Sequence, residues 1–250
     1  MSLAADANAG RVALVTGGGS GIGRATALAF ARSGARVAVC GRRPEPLEET
    51  RALVEAAGGE CLAVAADIRE PDAVGALVGE VLERFGTVDV LVNNAGGQFV
   101  APAEKISDNG WRAVERLTVD AVWTMTRSVA TRSMIPGGGG LVVFVGFSPL
   151  RGIPGFAHAC AGRAAVANLA SGLALEWSHH GVRTVCVAPG TILTEGLEGY
   201  GAETVEGWRR TVPLGRLGRP EEVADLALAV LRNAYLTNQV ISLDGGMHPR

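Results

Sequence analysis

Lysine is almost missing from this sequence. Lys105 is the only one, so arginine carries nearly all of the positive charge. Tyrosine is nearly as scarce, with Tyr200 and Tyr235 alone. Cys40, Cys61, Cys160 and Cys186 are far apart and lack the paired spacing of a zinc or redox site. They read as reduced core thiols of a cytosolic protein, and no metal site is expected. No apolar run approaches the ~20 residues needed to span a bilayer. Met1 to Gly10 has neither the charged nor the apolar region of a signal peptide and reads as a frayed terminus. With a formal net charge of only −2, no general attraction to nucleic acid or to an acidic membrane is indicated. A hydrophobic share of 48% against 19% charged residues argues for a compact, soluble, cytoplasmic globule without long disordered segments. Nothing marks a linker, so the 250 residues are read as one domain.

What the sequence does have is glycine, concentrated after the first apolar run. Val12 to Val15 are apolar without alternation, as a strand buried on both faces would be. Gly17, Gly18, Gly19, Gly21 and Gly23 follow, and then Ala25, Leu28, Ala29 and Arg32 recur at helical spacing. A glycine turn between a strand and a helix lets the backbone approach a pyrophosphate, whose charge is favoured by free N–H groups at a helix N-terminus. Gly17, Ser20, Gly21, Ile22 and Gly23 are therefore candidate cofactor residues. The second strand, Arg36 to Cys40, ends at Gly41, Arg42 and Arg43, where an NAD-binding chain would carry a carboxylate for the ribose 2′-hydroxyl. Two guanidiniums suited to bidentate phosphate pairing stand there instead, so NADP(H) is expected over NAD(H); the alternative is that both are merely solvated.

Strand and helix alternate along the rest of the chain. Helices are expected over PEPLEETRALVEAAGG, REPDAVGALVGEVLERFG, roughly Asn109 to Ser133, about Gly155 to His180, and Pro220 to Arg232. Strands are expected at ECLAVAAD, VDVLVNNAGG, LVVFVG, VRTVCVAPG and Gln239 to Leu243. The glycine-bearing stretch Thr194 to Arg210 is expected to be a mobile polar lid that closes over substrate. The alternation argues for an α/β fold, a parallel sheet with helices on both faces and right-handed crossovers.

Thr16 to Gly23, Asn93-Asn-Ala-Gly96, Pro189-Gly190 with Ile192 and Thr194, and Asp244-Gly-Gly246 together resemble, in order and spacing, the short-chain dehydrogenase/reductase family. The resemblance covers nearly the whole chain. It implies a single-domain Rossmann fold with a seven-stranded parallel sheet, a nicotinamide cofactor, and a homotetramer assembled through the long helices and the last strand. It further implies that Asp67 and Ile68 contact the adenine, that Asn94, Ala95 and Gly96 line the cofactor, and that Pro189, Gly190, Ile192 and Thr194 hold the carboxamide. Asn93 and Asn94 would equally cap the turn that shapes the pocket.

In that family a serine, a tyrosine and a lysine carry the chemistry, helped by an asparagine on the long helix. Here the resemblance puts Gly146, Ala159, Arg163 and Thr118 at those positions. Neither tyrosine lies near this helix in sequence. Reducing a ketone creates an alkoxide that needs a positioned acid, which alanine cannot supply. Reducing a double bond conjugated to a thioester spreads charge as an enolate, which needs an oxyanion site more than a tyrosine. AHACAGRAAVANLASGLALEW is similar to the corresponding segment of the peroxisomal trans-2-enoyl-CoA reductases and their bacterial relatives, which likewise carry arginine for lysine. The resemblance thus implies an NADPH-dependent reductase of an enoyl-CoA-like thioester.

Arg163 is the first catalytic candidate, expected to bond the nicotinamide ribose and to place positive potential near the enolate. His158 is a candidate proton donor, with a structural hydrogen-bonding role as the alternative. Thr118 and Ser148 offer hydroxyls near the site, although a helical threonine usually bonds its own backbone. Gln98 and Phe99 are candidates to face substrate, and Arg151, Arg209 and Arg210 to meet coenzyme A phosphates. Two further readings stay open: a cofactor-binding pseudoenzyme acting as a regulatory subunit, and a carbonyl reductase whose acid comes from elsewhere.

Overall fold

A computed structural model describes residues 7–147 and 152–247, so Ser148 and Arg151 lie outside the described residues. The strands are β1 (Val12–Thr16), β2 (Arg36–Gly41), β3 (Cys61–Ala65), β4 (Val90–Asn93), β5 (Gly140–Val145), β6 (Val182–Pro189) and β7 (Gln239–Leu243). The helices are α1 (Gly21–Arg32), α2 (Pro44–Ala56), α3 (Pro71–Phe85), α4 (Asp108–Glu115), α5 (Ala121–Val129), α6 (Ala157–Trp177), α7 (Ala202–Thr211) and α8 (Pro220–Arg232). All the strand pairs are parallel, and together they form one seven-stranded sheet in the order β3-β2-β1-β4-β5-β6-β7.

The unbroken apolar runs of the central strands follow from helices on both sheet faces. In β1, Val12 and Leu14 point into a core shared with α3, α5 and α6, whereas Ala13 and Val15 point into one shared with α1, α2 and α8. The chain builds outward from β1 to β3, then returns to start β4 on the other side of β1. That reversal opens a crevice beyond the carboxyl ends of β1 and β4, and the two glycine-bearing turns leave the sheet there.

Three expectations change. The long helix runs from Asp108 to Met134, but two π-helical turns, Arg116–Asp120 and Ala130–Met134, interrupt its α geometry, which apolar spacing does not signal. The segment expected to be a mobile lid is not irregular: Glu195–Tyr200 is a 3-10 turn and α7 follows it. Val205 and Trp208 of α7 are half-buried, and none of its residues is fully buried. The terminus is tied down from Asn8 onward. Asn8 is buried, its N–H donates to the Ser33 carbonyl at 2.7 Å and its Nδ2 to Ser33 Oγ at 2.9 Å, at the end of α1. Among the described residues no helix is long and apolar enough to cross a membrane.

Candidate active site

A cavity of about 920 Å³ fills the crevice, within the range of small-molecule sites. Its floor is the glycine turn. Gly17 and Gly21 have positive φ (66° and 48°), a region open to glycine and strained for other residues. A Cβ on Gly23 would lie 2.1 Å from the Gly17 carbonyl oxygen, so α1 can start this close to the turn only with glycine there. The turn is held from behind. Arg24 donates to the Gly19 carbonyl at 2.5 Å and to Glu49 at 2.7 Å, and Thr50 Oγ1 donates to the Gly18 carbonyl at 2.9 Å. One N–H of the turn is engaged too, that of Gly18 donating to the Cys40 carbonyl at 3.2 Å. Ser20 is the N-cap of α1 but makes no side-chain cap bond, and the first turn carries no acidic residue. Instead, the Gly21 N–H donates to the Glu195 carboxylate at 3.1 Å, so an anion of the chain already sits on this helix end.

The second turn is locked onto the first. Thr16 Oγ1 accepts the N–H groups of Asn94 and Ala95, each at 3.0 Å, while Asn94 Nδ2 donates to the Thr16 carbonyl at 2.9 Å. Asn93 turns away from the cavity, its Nδ2 donating to Thr126 Oγ1 at 2.9 Å. Gly17, Ser20, Gly21, Ile22, Arg42, Arg43, Asp67, Ile68, Asn94, Ala95, Gly96, Pro189, Gly190, Ile192 and Thr194 all line the cavity. Gly23 does not, and acts from beneath. Arg42 and Arg43 are exposed and form no salt bridge among the described residues. The Asp67 carboxyl is held down to about 2 by the Arg69 guanidinium, which bonds both of its oxygens.

Arg163 also lines the cavity and is 8% exposed. Its Nη1 donates to the Val145 carbonyl, and its Nη2 lies where a Cβ on Gly96 would stand. Gly96 is therefore the seat of a guanidinium. Among the described residues Arg163 has no carboxylate partner, and burial lowers its pKa. Beneath it, burial pushes the Cys186 thiol up to about 11 against the pull of Arg163. Gly146, at the expected serine position, stands so near Cys186 that an added Cβ would lie 3.0 Å from its Sγ.

Two catalytic candidates are not brought to the cavity. His158 is fully buried, its ring 4.3 Å from that of Phe99, and neither ring nitrogen has a partner; burial lowers its pKa, which keeps the imidazole neutral. It projects from α6 away from the cavity that Arg163 reaches. Thr118 sits in the π-helical turn with its methyl side against Gly162 of α6, where it packs two helices together. Gln98 lines the cavity, whereas Phe99 covers His158. Arg209 and Arg210 pair with Glu206, at 2.6 and 3.2 Å, which occupies both cations within α7 itself.

A group missed by the sequence reading is the aromatic wall. Phe156 caps α6, Tyr200 ends the 3-10 turn and Trp208 lies on α7. Tyr200 meets Trp208 edge-on at 5.2 Å and Phe156 at 6.2 Å, and all three line the cavity. Separation along the chain had set Tyr200 apart from α6, and the lid brings it back. The arrangement is thus an anion cradle at one end, a buried guanidinium in the middle and an apolar aromatic wall beside it.

Comparison with known proteins agrees with this geometry. Residues 17–248 match the family described as Enoyl-(Acyl carrier protein) reductase. A Bacillus subtilis protein named "Probable 2,4-dienoyl-CoA reductase" is 35% identical, over 94% of this chain and 96% of its own. The 3-oxoacyl-[acyl-carrier-protein] reductase FabG of Chlamydia muridarum is 34% identical, over 95% of this chain and 97% of its own. The crystal structure of a short-chain type dehydrogenase/reductase from Mycobacterium marinum superposes with a TM-score of 0.93 at 31% identity, covering 98% of each chain. A seven-stranded parallel sheet with the glycine turn at its switch point, matched to these relatives over nearly its whole length, makes this chain an oxidoreductase of the short-chain dehydrogenase/reductase family.

Proposed function

We propose that this protein is an NADPH-dependent reductase of a carbon–carbon double bond conjugated to an acyl thioester. The residues present fit a dinucleotide. The glycine turn leaves no room for side chains, the start of α1 already attracts a carboxylate, and two guanidiniums without salt bridges stand at the far end of the crevice. Gly17 to Ile22 would hold the pyrophosphate, Arg42 and Arg43 a 2′-phosphate, and Asn94 to Gly96 with Pro189 to Thr194 the nicotinamide half. When bound, the cofactor supplies a hydride. Arg163 holds positive potential at the Gly96 turn, where charge develops on a thioester oxygen. The aromatic wall of Phe156, Tyr200 and Trp208 excludes water and accepts an apolar acyl group.

The observation that carries this reading is Arg163: a buried guanidinium seated on Gly96, in a helix whose Ala159, at the usual acid position, is 2% exposed and cannot donate a proton. Relatives named 2,4-dienoyl-CoA reductases support the same substrate class. The test follows NADPH consumption with trans-2-enoyl-CoA, 2,4-dienoyl-CoA and 3-oxoacyl thioesters. Turnover of the conjugated thioesters is expected, and good turnover of ketones with none on any conjugated substrate overturns the reading. A carbonyl reductase with a displaced acid is the second reading, because Tyr200 brings a phenol into the cavity and a 3-oxoacyl reductase stands among the relatives.

A further inference from the structure

Either reaction ends with a carbon or an oxygen that must take up a proton. Ala159 and Gly146 carry no acid, and His158 and Thr118 face other parts of the molecule. Among the described residues that line the cavity, few side chains remain. Asp67 is ionised, held down by Arg69. Glu195 is engaged with the Gly21 N–H. The Cys40 thiol is pushed up to about 12 by burial and lies at the end of β2, beside Arg42. Tyr200 is different. Its ring packs in a cluster with Trp208 and Phe156, which also meet each other, and Phe156 is the N-cap of the helix that carries Ala159 and Arg163. The Tyr200 ring therefore lines the cavity beside the start of α6. Burial raises its pKa, which keeps it protonated at neutral pH.

We infer that Tyr200 is the proton donor of this enzyme, a phenol supplied by the lid in place of the one absent from α6. The inference rests on the reductase reading above. Once hydride has added to the β-carbon of the conjugated thioester, the double-bond pair moves to the α-carbon and carbonyl oxygen as an enolate. The Tyr200 O–H bond breaks as a C–H bond forms at the α-carbon, and the phenolate left behind takes a proton from water. The substrate gains a hydride and a proton, and the cofactor is oxidised by two electrons.

Tyr200→Phe removes only the hydroxyl and keeps the ring contacts. A positioned acid is worth about 10²- to 10⁴-fold, so kcat is expected to fall by about that factor while KM and NADPH affinity stay within about twofold. Reduction in deuterated water provides a second readout. The wild type is expected to place deuterium at the α-carbon in one configuration, and Tyr200→Phe in both. A third readout needs no turnover. In Tyr235→Phe, which alters a residue 98% exposed, Tyr200 is the only phenol left, so the tyrosinate absorbance titrates one group. Its midpoint is expected above the usual tyrosine value and to shift when a saturated acyl thioester binds. Rates within about threefold in Tyr200→Phe, with stereospecific labelling and a titration blind to the thioester, overturn the inference and leave the reductase reading standing. A wild type that reduces ketones and no conjugated thioester, with that activity lost in Tyr200→Phe, overturns the reductase reading and sustains Tyr200 as the donor.

Discussion

Replacing Arg163 with methionine should make the ligand-free protein more stable and the enzyme nearly inactive. Arg163 is 8% exposed, its guanidinium donates to the Val145 carbonyl, and no carboxylate of the described residues neutralises it. A hydrogen bond from a charged group contributes about 1.5–3 kcal/mol. Desolvating an unpaired guanidinium costs several kcal/mol after relaxation, so the balance lies against the native residue. Val145 borders the cavity, so water can reach its carbonyl once the guanidinium is gone. Methionine fills the channel above Gly96 with an apolar chain of similar length. The expected gain is about 1–3 kcal/mol. At roughly 2–4 °C per kcal/mol for a chain of this size, Tm rises by roughly 2–12 °C. Because the guanidinium is charged across the accessible range, the gain should be flat between about pH 6 and 9. Scanning calorimetry of both ligand-free proteins measures it, and NADPH-coupled assays measure the loss of turnover. A Tm lowered by several degrees would mean that Arg163 is a structural cation whose partner stabilises the fold. Unchanged turnover would remove it from the chemistry.

Gly23→Ala puts a Cβ 2.1 Å from the Gly17 carbonyl oxygen; overpacking of about 1–3 kcal/mol and at least about tenfold weaker NADPH binding are expected, whereas Gly75→Ala, in open space within α3, should stabilise by about 0.5–1 kcal/mol and leave binding unchanged by the same calorimetric and binding measurements. Arg42→Asp removes a charge-assisted phosphate contact, so NADPH affinity should fall by about 10- to 100-fold and the NADH:NADPH preference should move toward NADH in a competition assay. Glu195→Gln removes the carboxylate that competes for the Gly21 N–H. NADP(H) should bind about fivefold tighter by fluorescence titration, on the order of 1 kcal/mol, and weaker binding would refute the competition. His158→Phe tests a pH effect. Burial lowers the folded-state pKa of His158 below 6.5, so below that value the unfolded chain binds the extra proton and wild-type stability falls. The variant should lose less stability between about pH 6.5 and 5 in urea titrations, with turnover within about threefold of wild type.

The fold and the cofactor half of the site were legible because both depend on backbone constraints that residue type records directly. An unbroken apolar run means two covered faces, and glycine at Gly17, Gly21 and Gly23 means a turn that no side chain can enter. The substrate half was not legible. Its walls come from Phe147, Phe156, Tyr200 and Trp208, which belong to segments distant in sequence and unmarked by period or spacing. His158 misled for a local reason: it lies one position before Ala159 on α6, and on a helix adjacent residues point about 100° apart, so a neighbour of the lost tyrosine faces another element. Thr118 misled because a π-helical turn shifts side-chain directions without changing the sequence pattern. Gly96 was expected only as a cofactor contact, while its main steric consequence is the room it gives Arg163.

Ala159 on α6 and the position of Tyr200 bear on each other in the proposed reaction. An acid carried by α6 is held by the backbone of a 21-residue helix, in place before substrate arrives. A phenol on the Glu195–Tyr200 turn is held by two ring contacts, and the same turn begins with the carboxylate resting on the Gly21 N–H. In the proposed binding mode, diphosphate arriving at the start of α1 repels that carboxylate, so cofactor binding acts on the very segment that ends in Tyr200. With Tyr200 as the proposed donor, proton delivery is tied to cofactor occupancy through the four intervening residues of one turn. An acid coupled in this way is withheld until reductant is bound, which suits a reaction in which hydride addition comes first and the proton is needed only afterwards.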